Sequence, residues 1–244
     1  HEDSESLRSG FHYVQQIREV AAVEAQCISV DSIDHTYLVD GFVVSHNTSS
    51  DHSPVVEGSG GQVYSLDRLL EADGVFDPIR FSNTKEVGVE IAASMLMSIN
   101  PWGDYKNNFE VPLQHALSYG VDHGASCIGQ ALAIAKRDLD LPQGLVERVE
   151  VLATSSPQFR AIVGINPQGE GLRAASGITL IKVGSAHLDL PEAGQPPASI
   201  QQKIALALVR MVVFGSAMAV AGRDGVVMLD EAWIVLGAGR AENE

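Results

Sequence analysis

The sequence predicts an α/β protein, a body of helices packed on a parallel sheet, preceded by a small all-β segment. Three observations carry this. Near the C-terminus a strand-like stretch, "GITLIKVG", is followed by a long apolar stretch over 199–222 and by a second strand-like stretch, "GVVMLD". Strand, long helix and strand in that order form a βαβ unit, whose two strands run parallel. Between 84 and 155 apolar residues recur at helical spacing, whereas over 11–47 the pattern follows that of strands, and the character of the chain changes at 47/48.

The elements follow in order. "FHYVQQIREV", "AQCISVD", "TYLV" and "FVVS" within 11–47 are rich in Val, Ile and Tyr and have no helical period. The tract "TSSDHSPVVEGSGG" over 48–61 has the Ser, Gly and Pro content of a loop. "QVYSL" reads as a strand. "TKEVGVEIAASMLMSI" predicts a helix over 84–99, with Thr84 as its cap and Val87, Ile91, Met95 and Ile99 on one face. "NNFEVPLQHALSYG", "CIGQALAIAKRD" and "QGLVERVEVLATS" continue as helices separated by polar breaks. Strands over 178–184 and 226–230, joined by the long helix, are expected to be parallel neighbours.

Composition narrows the function classes. A net charge of −15 argues against a surface dominated by nucleic-acid binding, which needs clustered Lys and Arg. Two cysteines, Cys27 and Cys127, are too few for a disulfide framework and point to a reducing cytoplasm. The chain opens with "HEDSESL", without an initiator Met or a signal-like apolar region, which is the expectation for a fragment or a processed product. In "IALALVRMVVFGSAMAVAG" (204–222), Arg210 interrupts the apolar run, so a buried core helix is expected there rather than a membrane span.

The C-terminal strand carries a chemical signal. Val226 to Leu229 are apolar and end in adjacent carboxylates, Asp230 and Glu231. A buried parallel strand delivers its last residue to the ligand crevice of an α/β sheet. Apolar-Asp-Glu alone arises by chance, but "LDEAW" preceded by "QQKIALALVRMVVFGSAMA" resembles the motor ATPases of conjugation and type IV secretion. "VFDPIRF" (75–81) and "INPWG" (99–103) are similar to that family's segments between its two nucleotide motifs. The resemblance, over roughly 60–244, implies a RecA-like P-loop ATPase core that binds ATP and Mg²⁺. It implies Asp230 on Mg²⁺ through water, Glu231 as the catalytic carboxylate of the Walker B motif, and Trp233 at an aromatic packing position. It further implies a homo-hexamer, secretion or conjugation machinery as partner, and a place at the inner face of the membrane for the complete machine. No G-x-x-x-x-G-K-[ST] occurs in the chain, so hydrolysis by this piece alone is expected to be negligible.

At the junction, "GFVVSHNTSS" places His46, Asn47 and Thr48 in a row. An Asn side-chain amide can attack its own backbone carbonyl, forming a succinimide and cutting the chain. A neighbouring His can protonate the leaving amine, and a Thr hydroxyl can carry an acyl group as an ester. "CISVDSIDHTYLVDGFVVSHNT" resembles the C-terminal splicing region of inteins, whose signature is a final His-Asn followed by Ser, Thr or Cys. Cys27 stands where many inteins carry Asp. With Thr48 downstream, this implies the kind that starts from an internal Cys, with His35 assisting Asn47 cyclisation and no cofactor required. A thiol suits the first step because it is the most nucleophilic side chain near neutral pH.

Two segments are therefore expected: 1–47, an intein C-terminal splicing segment, and 48–244, a partial RecA-like ATPase domain containing Walker B. The partners implied are the N-terminal intein half and the P-loop part of the parent chain. Thr48 could close a split Walker A, or the intein could sit downstream of the whole P-loop. Pro54, Gly58, Gly60 and Gly61 oppose a long helix after Thr48 and favour the second. Competing expectations are an inactive RecA-like scaffold with a decayed intein remnant, and a hydrolase using Glu231 without a P-loop. His115, His123 and Cys127 lie eight and four apart, but Gly120 and Gly124 interrupt the helix that would align them, and no fourth ligand fits a metal site. Asp138 and Asp140 read as a solvated helix end, and 58-GSGG-61 as a linker.

Overall fold

The computed structural model describes residues 37–39, 43–45, 53–168, 178–183, 187–191, 195–221 and 226–227. The chain is mixed α/β and mostly helical, with a small parallel sheet of two strands. Ahead of the body, β1 (Tyr37–Val39) and β2 (Val43–Ser45) pair antiparallel, with Tyr37 opposite Ser45 and Val39 opposite Val43.

The body opens with α1 (Ser53–Gly58), a correction to the loop expected over 48–61. Pro54 fits the first turn of a helix, where its missing N–H is no loss, and Gly58 ends it, so the helix exists but stays short. β3 (Gln62–Ser65) and β4 (Thr179–Lys182) then pair in parallel, Gln62 against Thr179 and Ser65 against Lys182. Parallel neighbours need a crossover connection, and among the described residues this one carries seven α-helices. They are α2 (Leu66–Leu69), α3 (Pro78–Phe81), α4 (Lys85–Ile99), α5 (Glu110–Asp122), α6 (Ile128–Asp138), α7 (Leu145–Ser155) and α8 (Pro157–Val163). After β4 comes α9 (Ile200–Val220).

Caps set the helix ends. The Thr84 hydroxyl accepts from the Val87 N–H at 3.3 Å and opens α4, as expected. Asn100 closes it in the left-handed region, φ 55°, a conformation that Asn tolerates better than most side chains. The buried face of α4 differs from the expected one. Gly88, Val89, Ala92, Met95, Leu96 and Ile99 are buried, while Val87 is exposed and Ile91 only half-buried. A strict row of every fourth residue drifts by about 40° per step around a helix of 3.6 residues per turn, so it leaves any one face within three steps. The true stripe alternates steps of three and four.

Asp77 and Ser156 start α3 and α8 by the same device. A side-chain oxygen accepts from the N–H two or three residues on, at 2.9 Å for Ile79 and 3.2 Å for Phe159, and Pro78 or Pro157 follows at once. Helices α5 and α6 pack backbone to backbone, because a Cβ on Gly120 would lie 2.3 Å from the Ala131 Cα. Phe76, Leu96, Leu117, Leu132, Phe159 and Leu208 are fully buried at the centre of the helical layer. Burial of each such side chain contributes roughly 1.5–3 kcal/mol. Helix α9 is long and apolar enough to cross a membrane by length and composition, yet half of that window is buried, against α3, α4 and α8. Its Ser199 hydroxyl caps it, accepting from Gln202 N at 3.1 Å.

Candidate functional site

The hairpin β1–β2 bears on the junction. Because Tyr37 pairs with Ser45, the first residue of β1 and the last residue of β2 share one end of the hairpin. The chain carrying His35 therefore enters at the end where the chain carrying His46 and Asn47 leaves. Cys27, His35, His46, Asn47 and Thr48 themselves lie outside the described residues, as do Asp230, Glu231 and Trp233.

In a parallel sheet the carboxyl ends of the strands form the ligand-facing edge. Ser65 and Lys182 stand side by side there, and Asp67 follows in the first turn of α2. The neighbour of β4 in the described sheet is β3; most of the expected strand 226–230 lies outside the described residues. Of that stretch only Val226 and Val227 are described, without regular structure, and Val226 is exposed. The glycine tract does not form a phosphate cradle. The N–H groups of Ser59, Gly60 and Gly61 donate to the Val55, Val56 and Glu57 carbonyls, and Gln62 N donates to Ile178 O. These donors turn inward to end α1 and begin β3, so this tract does not fit the triphosphate of ATP.

"VFDPIRF", singled out for its resemblance, proves to be a structural hub. The Asp77 carboxylate is completely buried. Its Oδ1 accepts from Ile79 N at 2.9 Å and its Oδ2 from Ile128 N at 2.8 Å, so one side chain caps both α3 and α6. Burial pushes the Asp77 carboxyl well above the usual carboxylate range, against the pull of those two N–H groups and of Arg80. Asp73, four residues earlier, accepts from Ile165 N and Asn166 N at 2.9 and 2.8 Å. Arg80 Nη1 donates to the Gly74 and Asp73 carbonyls. "INPWG" has a similar part: the buried Trp102 donates from Nε1 to Leu145 O at 2.9 Å, and its ring leans on Phe109.

His123 and Cys127 do not share a helix. His123 ends α5, stacked on Tyr119 with Nδ1 2.7 Å from that residue's carbonyl, and Cys127 precedes α6. Burial pushes the Cys127 thiol up to about 12, so it is an inert group near neutral pH. Among the described residues no cluster of three or more His, Cys, Asp or Glu could hold a metal ion. Asp138 is paired with Arg137 at 2.7 Å at the exposed end of α6, a helix end as expected. Sequence reasoning missed the capping carboxylates Asp73 and Asp77. The Asp-Pro pair at 77–78 was the available signal for Asp77, since Pro favours the first helical position behind an Asp cap.

No family model matches the chain, and neither a curated protein nor a solved structure is similar to it.

Proposed function

We propose that this chain is part of a conjugation or type IV secretion motor ATPase interrupted by an intein, with the junction between Asn47 and Thr48. The observation that carries the reading is the run Ser45-His46-Asn47-Thr48 directly behind a strand, with Cys27 and His35 upstream. The register of β1 and β2 supports it, because it joins the approaches to His35 and to His46-Asn47 at one hairpin end.

The chemistry runs in four steps. The Cys27 thiolate attacks the carbonyl at the upstream junction, forming a thioester and freeing the intein's N-terminal amine. The Thr48 hydroxyl takes the acyl group from sulfur, giving a branched ester and restoring the thiol. The Asn47 side-chain nitrogen attacks its own backbone carbonyl, breaking the bond to Thr48 and leaving a succinimide. His46 and His35 supply the proton that the departing Thr48 amine needs. That freed amine then displaces the ester oxygen, and an amide joins the two flanking pieces.

For the body we infer a RecA-like core in which 226–230 runs parallel to 178–184, Asp230 is placed for Mg²⁺ and Glu231 is the hydrolytic carboxylate. A parallel β3–β4 pair and a long, half-buried helix leading toward "GVVMLDEAW" support it. The glycine tract spends its amides on ending α1 and starting β3, which fits a reading in which the phosphate cradle belongs to the upstream part of the parent. In the complete parent, Glu231→Gln should abolish ATP turnover while nucleotide binding persists; retention of turnover would remove Glu231 from the reaction. For the junction, the chain joined to an N-terminal intein half should splice. If Cys27→Ala splices normally, Cys27 is a packing residue and an upstream terminal nucleophile starts the reaction.

A further inference from the structure

The carboxyl edge of the β3–β4 pair gathers polar side chains that the fold does not consume. Ser65 closes β3 and Lys182 closes β4. They are register partners, so they share one face of the sheet on strands about 4.8 Å apart. That face is turned away from the helices. The alternate residues Ile181 and Val183 pack on the helical core, which leaves Val63 and Leu180 with Ser65 and Lys182 on the opposite side. Ser65 and Lys182 are both half-buried. Ser65 also departs from the habit of the other caps. The Thr84, Ser156 and Ser199 hydroxyls each accept an N–H of the helix they open, whereas Ser65, at the same position before α2, makes no such bond. Lys182 already holds a contact, but an ammonium has three donors and one contact does not exhaust them.

We propose that Ser65 and Lys182 form a subsite for the polyphosphate of a nucleotide, delivered with its divalent cation. The inference rests on the nucleotide-binding reading above and adds to it two residues outside the Walker motifs. In open α/β sheets ligands bind beyond the carboxyl ends of the strands, which is where this pair stands. The Ser65 hydroxyl and the Lys182 ammonium can both donate to phosphate oxygens, and the bond from the charged donor is the stronger. Val63 and Leu180 continue the same face as an apolar wall, which lowers the local dielectric and strengthens that attraction. Asp67, exposed two residues after Ser65, repels a bare anion. The ligand that fits is therefore a polyphosphate partly neutralised by Mg²⁺, rather than a free one.

Lysine footprinting tests the subsite on the full chain. The protein is acetylated briefly with an N-hydroxysuccinimide ester, with and without inorganic tripolyphosphate and Mg²⁺, and the labelling of each lysine is read by peptide-resolved mass spectrometry. Labelling of Lys182 should slow about threefold at twice the half-saturating concentration, as simple mass action requires. Lys85 and Lys203, on α4 and α9, should be labelled at an unchanged rate. Ser65→Ala should raise the half-saturating concentration about tenfold, the loss of one hydrogen bond to a charged group. Asp67→Asn should extend the protection to tripolyphosphate added without Mg²⁺. Equal slowing at all three lysines would mean screening alone and overturns the subsite. So does unslowed labelling of Lys182, or protection that is unchanged in Ser65→Ala. A requirement for Mg²⁺ that persists in Asp67→Asn overturns the part given to the cation. The readout is occupancy and not turnover, so it stands apart from the Glu231→Gln test of hydrolysis in the parent.

Discussion

The two small sheets among the described residues are built in opposite ways. β1 and β2 are antiparallel and separated by three residues, so their pairing is local and can form without the body. β3 and β4 are parallel and separated by the whole helical unit, so their pairing exists only because α2 to α8 fold back between them. The difference teaches where each function is vulnerable. The splicing proposed for the junction draws on residues that flank the hairpin in sequence. Anything built on the parallel edge depends on the polar contacts that lock the helices together.

The largest effect should come from the hairpin side. Asn47→Ala in the reconstituted protein should stop release completely and leave a branched ester on Thr48, detectable as an alkali-labile species by mass spectrometry. Melting of the body should not change. A matching drop in body stability would show that the two regions are coupled and would break the comparison. Next comes Asp77→Ala, which leaves the Ile79 and Ile128 N–H groups buried without their acceptor. Denaturant titration should show a loss of roughly 3 kcal/mol, since each unsatisfied buried donor costs about 1–3 kcal/mol. Splicing should proceed at the wild-type rate in that variant.

The same residue gives the body a pH signature. Asp77 has its folded value raised, so the fold holds a proton that the unfolded chain releases near pH 4. Stability should therefore fall as pH rises from about 4 through the raised value, a slope that Asp77→Asn removes. Trp102→Phe keeps an aromatic ring but removes the Nε1–H that donates to the Leu145 carbonyl, and should cost about 1 kcal/mol in the same titration. The smallest effect belongs to Lys136, which bridges α6 to Glu147 and Glu150 of α7 at 3.2 and 2.9 Å. Its contacts resemble those of Asp77 in joining two helices, but they are exposed and screened by water and salt. Lys136→Ala should leave the melting temperature unchanged within error, and a large shift would mean that burial is not what separates the two clusters.

What the sequence made legible was local. Thr84 announces α4 because a hydroxyl followed by an apolar periodic run has few other uses, and α9 stood out by the length of its apolar run. The strands "QVYS" and "TLIK" stood out against their glycine borders. The buried stripe of α4 was misread because a spacing of four imitates a helical face over only a few turns. Helices α3 and α8 were missed because each is under two and a half turns long and signalled chiefly by a cap and a proline, Asp77-Pro78 and Ser156-Pro157. The role of Asp77 was hidden for a different reason. Its partner Ile128 lies 51 residues away, and no local pattern encodes a contact of that range. Of the candidate splicing residues, His46, Asn47 and Thr48 were legible as a consecutive string, and Cys27 and His35 only by their place upstream of it.

The most direct test of the central proposal is intact-mass analysis of this chain joined to an N-terminal intein half carrying an upstream flanking segment. The account predicts a ligated product in which the flanking segment is joined to Thr48 by an alkali-stable amide, together with an excised intein ending in a succinimide at residue 47. The same sample with Cys27→Ala should show no upstream cleavage. An uncut chain in the unsubstituted sample, or normal ligation in Cys27→Ala, would contradict it.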